Sequence, residues 1–187
     1  MDTNPGFRGR IDPDELRVVL AEHKAWLQGS GGRRAVLTGF DFSEADLSGV
    51  GLERANLSNS IFDNANFSGA SLKEANFRDA HCAGTNFTGA DLRDSDLPRT
   101  LSGACFAGAD LSDAGFQDYC EMKGANFAGA NLTRAGIFDS NLSDTNLRGA
   151  NLTDADLEGA CLRGADLRDA TLAGANLTDV VGPYLST

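Results

Sequence analysis

Six side chains of the types that hold metals or form nucleophile–base pairs occur in the 187-residue sequence: Cys82, Cys105, Cys120, Cys161, His23 and His81. Zinc and redox sites need cysteines a few residues apart, or a compact Cys/His cluster. No two cysteines have Cys-x-x-Cys spacing, and the histidines are far apart in the chain. His81 and Cys82 are adjacent, but neighbours on an extended backbone point to opposite faces. No Ser–His–Asp constellation appears either. Residues 124–132, GANFAGANL, have a glycine spacing that resembles a phosphate loop but precede no helix. The expectation is a non-enzyme with no catalytic, metal or cofactor-binding residues, in which Cys82 and Cys120 are buried as small apolar groups.

Carboxylates are the remaining chemistry. The net charge is −11. Residues 1–34 carry six basic and five acidic groups, whereas residues 35–187 carry ten basic and 22 acidic ones. Acid concentrated in the body of the chain argues against direct nucleic-acid binding and leaves two roles, solubility or a cationic partner. No apolar run approaches a membrane span and the N-terminus has no apolar leader-like stretch, so a cytoplasmic protein is expected.

What positions those acids is a period of five, which matches neither helix nor strand. A large apolar residue recurs from Leu37 to Leu97 and from Met122 to Leu177 in steps of five. Leu101, Phe106, Leu111 and Phe116 lie between, one place out of phase. Of these 29 centres 18 are Leu and eight Phe, and 20 have Ala two places earlier, so a narrow core of one large and one small residue per unit is implied. In an extended triplet those two side chains point inward, and the residue between them, Asn or Asp in 17 units, points out. The next two residues are turn-forming types. Five residues therefore make a side and a corner, and four sides close a coil of 20.

Units such as ADLEG, ANLTD and ANFSG resemble the pentapeptide-repeat family, pattern A(D/N)LXX, over residues 35–179. The resemblance implies a right-handed quadrilateral β-helix. It implies no single function, since members range from uncharacterised proteins to gyrase-protecting ones whose acidic surfaces resemble DNA.

Sorting by coil, with each slip counted as one side, aligns Phe67, Phe87, Phe106 and Phe127 after Leu47 and before Leu147 and Leu167. The slips near 97–101 and 116–122 then fall in corners, with Arg99 turned to solvent beside Pro98. The same sorting puts Asp79, Asp118 and Asp139 in one outer column with Asp179, and Asp94, Asp113 and Asp154 in the next with Glu74, Arg54 and Arg134. These two acidic faces are the candidate partner-binding surface. The Phe-column face, with corners such as Ser68-Gly69, is smooth and nearly uncharged.

The chain divides into residues 1–34 (tail, capping helix near 12–28 and Gly-rich linker), the coils at 35–179, and a tail at 180–187. Asp12-Pro13-Asp14-Glu15 resembles a capping box, and Leu16, Val19, Leu20, His23 and Leu27 follow at helical spacing. His23 reads as a packed residue of the cap. At the other end, either Tyr184 and Leu185 fold over the last coil or two molecules meet there. The expectation is a homodimer through residues 172–187, with Val180, Val181, Tyr184 and Leu185 as its contacts. Gyrase-protecting relatives dimerise at this end through extra secondary structure, for which this sequence has no room. Two functions follow: a rigid scaffold binding a protein partner through a flat or acidic face, or a DNA mimic that binds gyrase. Neither reading involves a membrane.

Overall fold

The structure, a computed structural model, describes residues 8–182. The chain climbs as a solenoid in which each short side bridges, in parallel, to the side one coil further on. One column runs Val36, Asn56, Asn76, Asp96, Gly115, Gly136, Asp156, Asn176. The step is 20 residues except in the middle, where His81 pairs with Thr100 (19 residues) and Thr100 with Glu121 (21). Both irregularities are absorbed between sides, so no side is lost and the column alignment inferred from the Phe residues holds.

The inside follows from the alternation. Leu52, Leu57, Phe62, Phe67, Leu72 and Phe77 are each at most 1% exposed, and 16 of the 20 alanines two places before a centre are at most 2% exposed. Phe67, Phe87, Phe106 and Phe127 form a ladder of nearly parallel rings with centroids 5.4, 5.0 and 4.8 Å apart. Phe42 and Phe62 stack likewise at 5.1 Å in a neighbouring column. Burying each ring contributes about 1.5–3 kcal/mol by area. Where Ser or Thr replaces the inward Ala, its hydroxyl donates to a main-chain carbonyl: Ser60 to Leu37, Thr85 to Phe62, Thr145 to Leu142, each at 2.7 Å. A buried hydroxyl is tolerable only with such a partner.

The outward Asn/Asp positions depart from the sequence reading of a freely solvated site. Most are only half-exposed. Their Oδ1 atoms accept the N–H two residues on, as Asn66 does from Ser68 (3.1 Å) and Asn146 from Arg148 (3.1 Å), which folds the corner. Their amides donate to the coil before: Asn86 to Asn66 (3.0 Å) and Asn146 to Asn126 (3.0 Å). Asn and Asp are thus the external hydrogen-bonding frame of the coil.

The first α-helix, α1 (Pro13–Leu27), begins at Asp12, whose carboxylate accepts from the Asp14 and Glu15 amides at 2.9 and 3.2 Å. Leu16, Val19 and Leu20 pack against the core. His23 is fully buried, and its Nδ1 accepts the Ala35 N–H at 3.0 Å. The region before α1 contains more structure than a tail. Strand β1 (Gly9–Arg10) pairs in parallel with β2 (Phe40–Asp41), and the Arg8 guanidinium lies 5.3 Å from the Phe40 ring centre. Nothing periodic in residues 8–11 announces this rung; the unpaired edge of the first coil creates it.

Candidate functional site

All six acids expected to face a partner are exposed: Asp79, Asp94, Asp113, Asp118, Asp139 and Asp154. Five of them occupy the second corner position with left-handed φ between 51° and 60°, a conformation that Asp and Asn tolerate better than most residues. Asp118 is the exception. The 21-residue step puts an extra residue in its corner, so Tyr119 takes the left-handed slot (φ 59°) and Asp118 precedes it. The expected column of Asp79, Asp118, Asp139 and Asp179 is therefore displaced at Asp118.

Charge on the two faces is unequal. In the Glu74/Asp94/Asp113 column, Arg54 reaches Glu74 (3.0 Å), Lys73 reaches Asp94 (3.6 Å) and Arg134 reaches Asp113 (2.7 Å from Nε). The Arg134 guanidinium holds the Asp113 carboxyl below the usual range. That column is a ladder of cross-coil ion pairs. On the adjoining edge, Asp118 and Asp139 have no cation within 4.0 Å among the described residues. Asp139 and Asp154 instead fold over Gly159 and Gly174, where an added Cβ would collide with their Oδ1 atoms.

The edge with both slips is held by residues that sequence reasoning missed. In a regular corner the second residue's N–H donates to the next coil, as Asn59 does to the Arg78 carbonyl (3.0 Å). The short step at Pro98-Arg99 removes that acceptor for Asp79. Gln117, two coils on, supplies it: its Oε1 accepts the Asp79 N–H at 3.1 Å and its Nε2 donates to the Asp79 carboxylate at 3.3 Å. Cys120 Sγ donates to the Pro98 carbonyl at 3.1 Å. Arg99 is exposed, as expected. The only signal in the sequence was that the two slips compensate one another.

Cys82 and Cys120 are buried, and all four cysteines are free thiols. Burial pushes the Cys82 thiol well up and the Cys120 thiol up to about 12, so neither supplies a thiolate near neutrality. Burial lowers the His23 pKa, with the nearby Glu53 partly opposing it. Among the described residues no three His, Cys, Asp or Glu side chains converge to hold a metal ion, and no helix is long and apolar enough to cross a membrane.

The family pattern described as "Pentapeptide repeats (8 copies)" matches residues 33–64, 100–134, 118–149 and 138–169, and "Pentapeptide repeats (9 copies)" matches 52–96. The chain belongs to the pentapeptide-repeat family. No curated protein sequence matches it. Among solved pentapeptide-repeat structures, a trypsin-treated form of QnrB1, a plasmid-mediated fluoroquinolone resistance protein, is similar at 19% identity. The match covers 81% of this chain and 88% of that one, with a TM-score of 0.61. HetL, a pentapeptide-repeat protein involved in heterocyst differentiation regulation from the cyanobacterium Nostoc sp. strain PCC 7120, is 21% identical. That match covers 95% of this chain and 99% of HetL, with a TM-score of 0.38. At this identity the likeness to QnrB1 speaks to the solenoid fold.

Proposed function

We propose that this pentapeptide-repeat chain is a non-enzymatic, cytoplasmic interaction module, a right-handed square coil of about seven turns that binds a protein partner through its acidic edges. The observation that carries this is the division between inside and outside. The Leu and Phe centres of the coils before the last are consumed by the core, and the outer surface is mostly polar side chains fixed on a rigid frame. Asp79, Asp118 and Asp139, the less neutralised edge, are the primary contacts; Asp94, Asp113 and Asp154 flank them. Residues 35–179 form the binding body, residues 1–34 the N-terminal cap and 180–187 the C-terminal tail. Purified protein should bind a cationic partner in a salt-sensitive way, and a joint Asp118→Lys, Asp139→Lys change should abolish binding while leaving circular dichroism unchanged. Unaltered affinity would reject the acidic edge.

The second reading, a DNA-mimicking gyrase binder, is favoured by the fold likeness to QnrB1 and by net acidity. The ion-pair ladder of Arg54, Lys73 and Arg134 weighs against it, because a mimic of the phosphate backbone needs uncompensated charge. A supercoiling assay with DNA gyrase decides it: protection or inhibition at micromolar protein supports the mimic, and no effect removes it.

A homodimer through residues 172–187 belongs to both readings. In the last described coil Leu167, Leu172 and Leu177 are only partly buried, and Val181 is 44% exposed. Val180 is partly buried there too, while the other two contacts, Tyr184 and Leu185, lie outside the described residues. Sedimentation should show a dimer that dissociates on a Val181→Asp, Leu177→Asp change; a full-length monomer at high micromolar concentration rejects it.

A further inference from the structure

Among the outward mid-side positions of the described coils, only Gly51, Gly115 and Gly136 are glycine. Neither Gly115 nor Gly136 has left-handed φ. A Cβ on Gly115 would come no nearer than 3.9 Å to its closest neighbour, Asp96 Oδ1, and one on Gly136 no nearer than 3.9 Å to Phe138 Cε1. Backbone geometry and crowding therefore require glycine at neither place. Each glycine forgoes the Asn/Asp hydrogen bonds that frame the other coils, and glycine weakens extended backbone. Within a strand, such a residue commonly marks the close approach of another group. Gly115 is exposed, and no atom of the described chain comes nearer than 3.9 Å to where its Cβ would stand.

Gly115 and the two slipped corners together border a depression of about 340 Å³ in an otherwise regular face, lined also by Arg78, Asp96, Arg99, Gln117, Asp118 and Phe138. Its charges are not equivalent. Arg78 is neutralised by Asp96 at 3.2 Å. Arg99 has no carboxylate within 4.0 Å among the described residues, although every other basic side chain of the coils except Arg163 has one. The Phe138 ring is 36% exposed at the rim. An unpaired guanidinium beside an open aromatic ring suits a carboxylate next to an apolar group. Asp118 repels further negative charge, which disfavours a polyanion. The volume lies at the small end of the range for ligand pockets, room for a loop tip and too small for a helix.

We infer that this depression is a docking pocket for a protein loop presenting one aspartate or glutamate beside an apolar residue. The inference rests on the interaction-module reading and gives that module a registration point: on a repetitive prism, the one place where the repeat is broken fixes where a partner sits.

The test uses the full, isotope-labelled chain and the peptide acetyl-Gly-Leu-Asp-Gly-amide, followed by amide shifts. Saturable shifts confined to Gly115, Gln117 and Phe138 are expected, with binding at least about tenfold weaker for the Leu-Asn analogue and for an Arg99→Gln chain, as for loss of a charged hydrogen-bond pair. The change Gly115→Asn installs the residue carried by other coils, so it should preserve or raise the melting temperature while abolishing the shifts. Absence of saturable binding, equal binding by the Leu-Asn peptide, or undiminished binding to the glycine-filled chain overturns the pocket. A purified partner that binds Arg99→Gln at full affinity but loses Asp118→Lys, Asp139→Lys also overturns it, while leaving the interaction module standing.

Discussion

Two edges of the same coil make an instructive pair. The edge with Ser68-Gly69, Thr88-Gly89, Ala107-Gly108 and Ala128-Gly129 repeats with almost no variation, and its glycines keep φ within 63–64°. The edge with Arg78-Asp79, Pro98-Arg99, Gln117-Asp118-Tyr119 and Phe138-Asp139 loses a residue in one coil and gains one in the next. The parallel bridges continue through both edges, and Asp96–Leu97 (β3) pairs with Gly115–Phe116 (β4) across the irregular zone itself. Register therefore resides in the sides, where hydrogen bonds and buried rings recur, and the corners absorb change. The regular edge leaves every slot filled; the irregular one exposes Tyr119, Arg99 and Phe138, the side chains that make one place on the molecule distinguishable from the rest.

The comparison is most severely tested in the core that both edges share. Phe87 is fully buried between Phe67 and Phe106, so Phe87→Ala should cost about 3–5 kcal/mol in denaturant melts. A cost below about 1 kcal/mol would show that the sides do not carry the register.

Next in size is the cap. His23→Ala strips the buried Ala35 N–H of its acceptor, at a cost of about 1–3 kcal/mol. Acidification attacks the same contact. Burial lowers the folded His23 pKa, so the unfolded chain takes up its proton first as pH falls through about 6.5. His23's contribution to stability is then present above that pH and lost as pH falls toward the lower folded value. Melts between pH 8 and 5 should show the decline, and His23→Ala should flatten it.

The irregular edge is probed by Gln117→Ala, which leaves the Asp79 N–H to water and should cost roughly 0.5–1.5 kcal/mol, more than alanine at an ordinary exposed corner. Equal costs would mean that the short corner needs no brace. Smallest is Asp139→Asn, on an exposed acid without an ion pair, expected within about 0.5 kcal/mol of the parent. An effect as large as that of Gln117→Ala would make the acidic edge structural.

The sequence by itself determined the solenoid, the identity of nearly every core residue and the Phe ladder, because a five-residue period combined with strand alternation leaves one way to put Leu, Phe and Ala inside. It also determined the N-terminal helix, whose Asp12-Pro13 start is a local signal. Polar contacts between coils were beyond its reach. That Gln117 braces Asp79 and that residues 9–10 add a rung beside Phe40 depend on groups 38 and 31 positions apart meeting at particular distances, and that Asp118 yields its slot to Tyr119 depends on where the extra residue of that corner is taken up. The same holds for charge: the composition gave the sign, but only the stacking of coils decided that Arg54, Lys73 and Arg134 neutralise one acidic column while Arg99 is left without a carboxylate in the depression beside Gly115. Local periodicity fixes which way a side chain points; which partner it meets is set by the coil above or below.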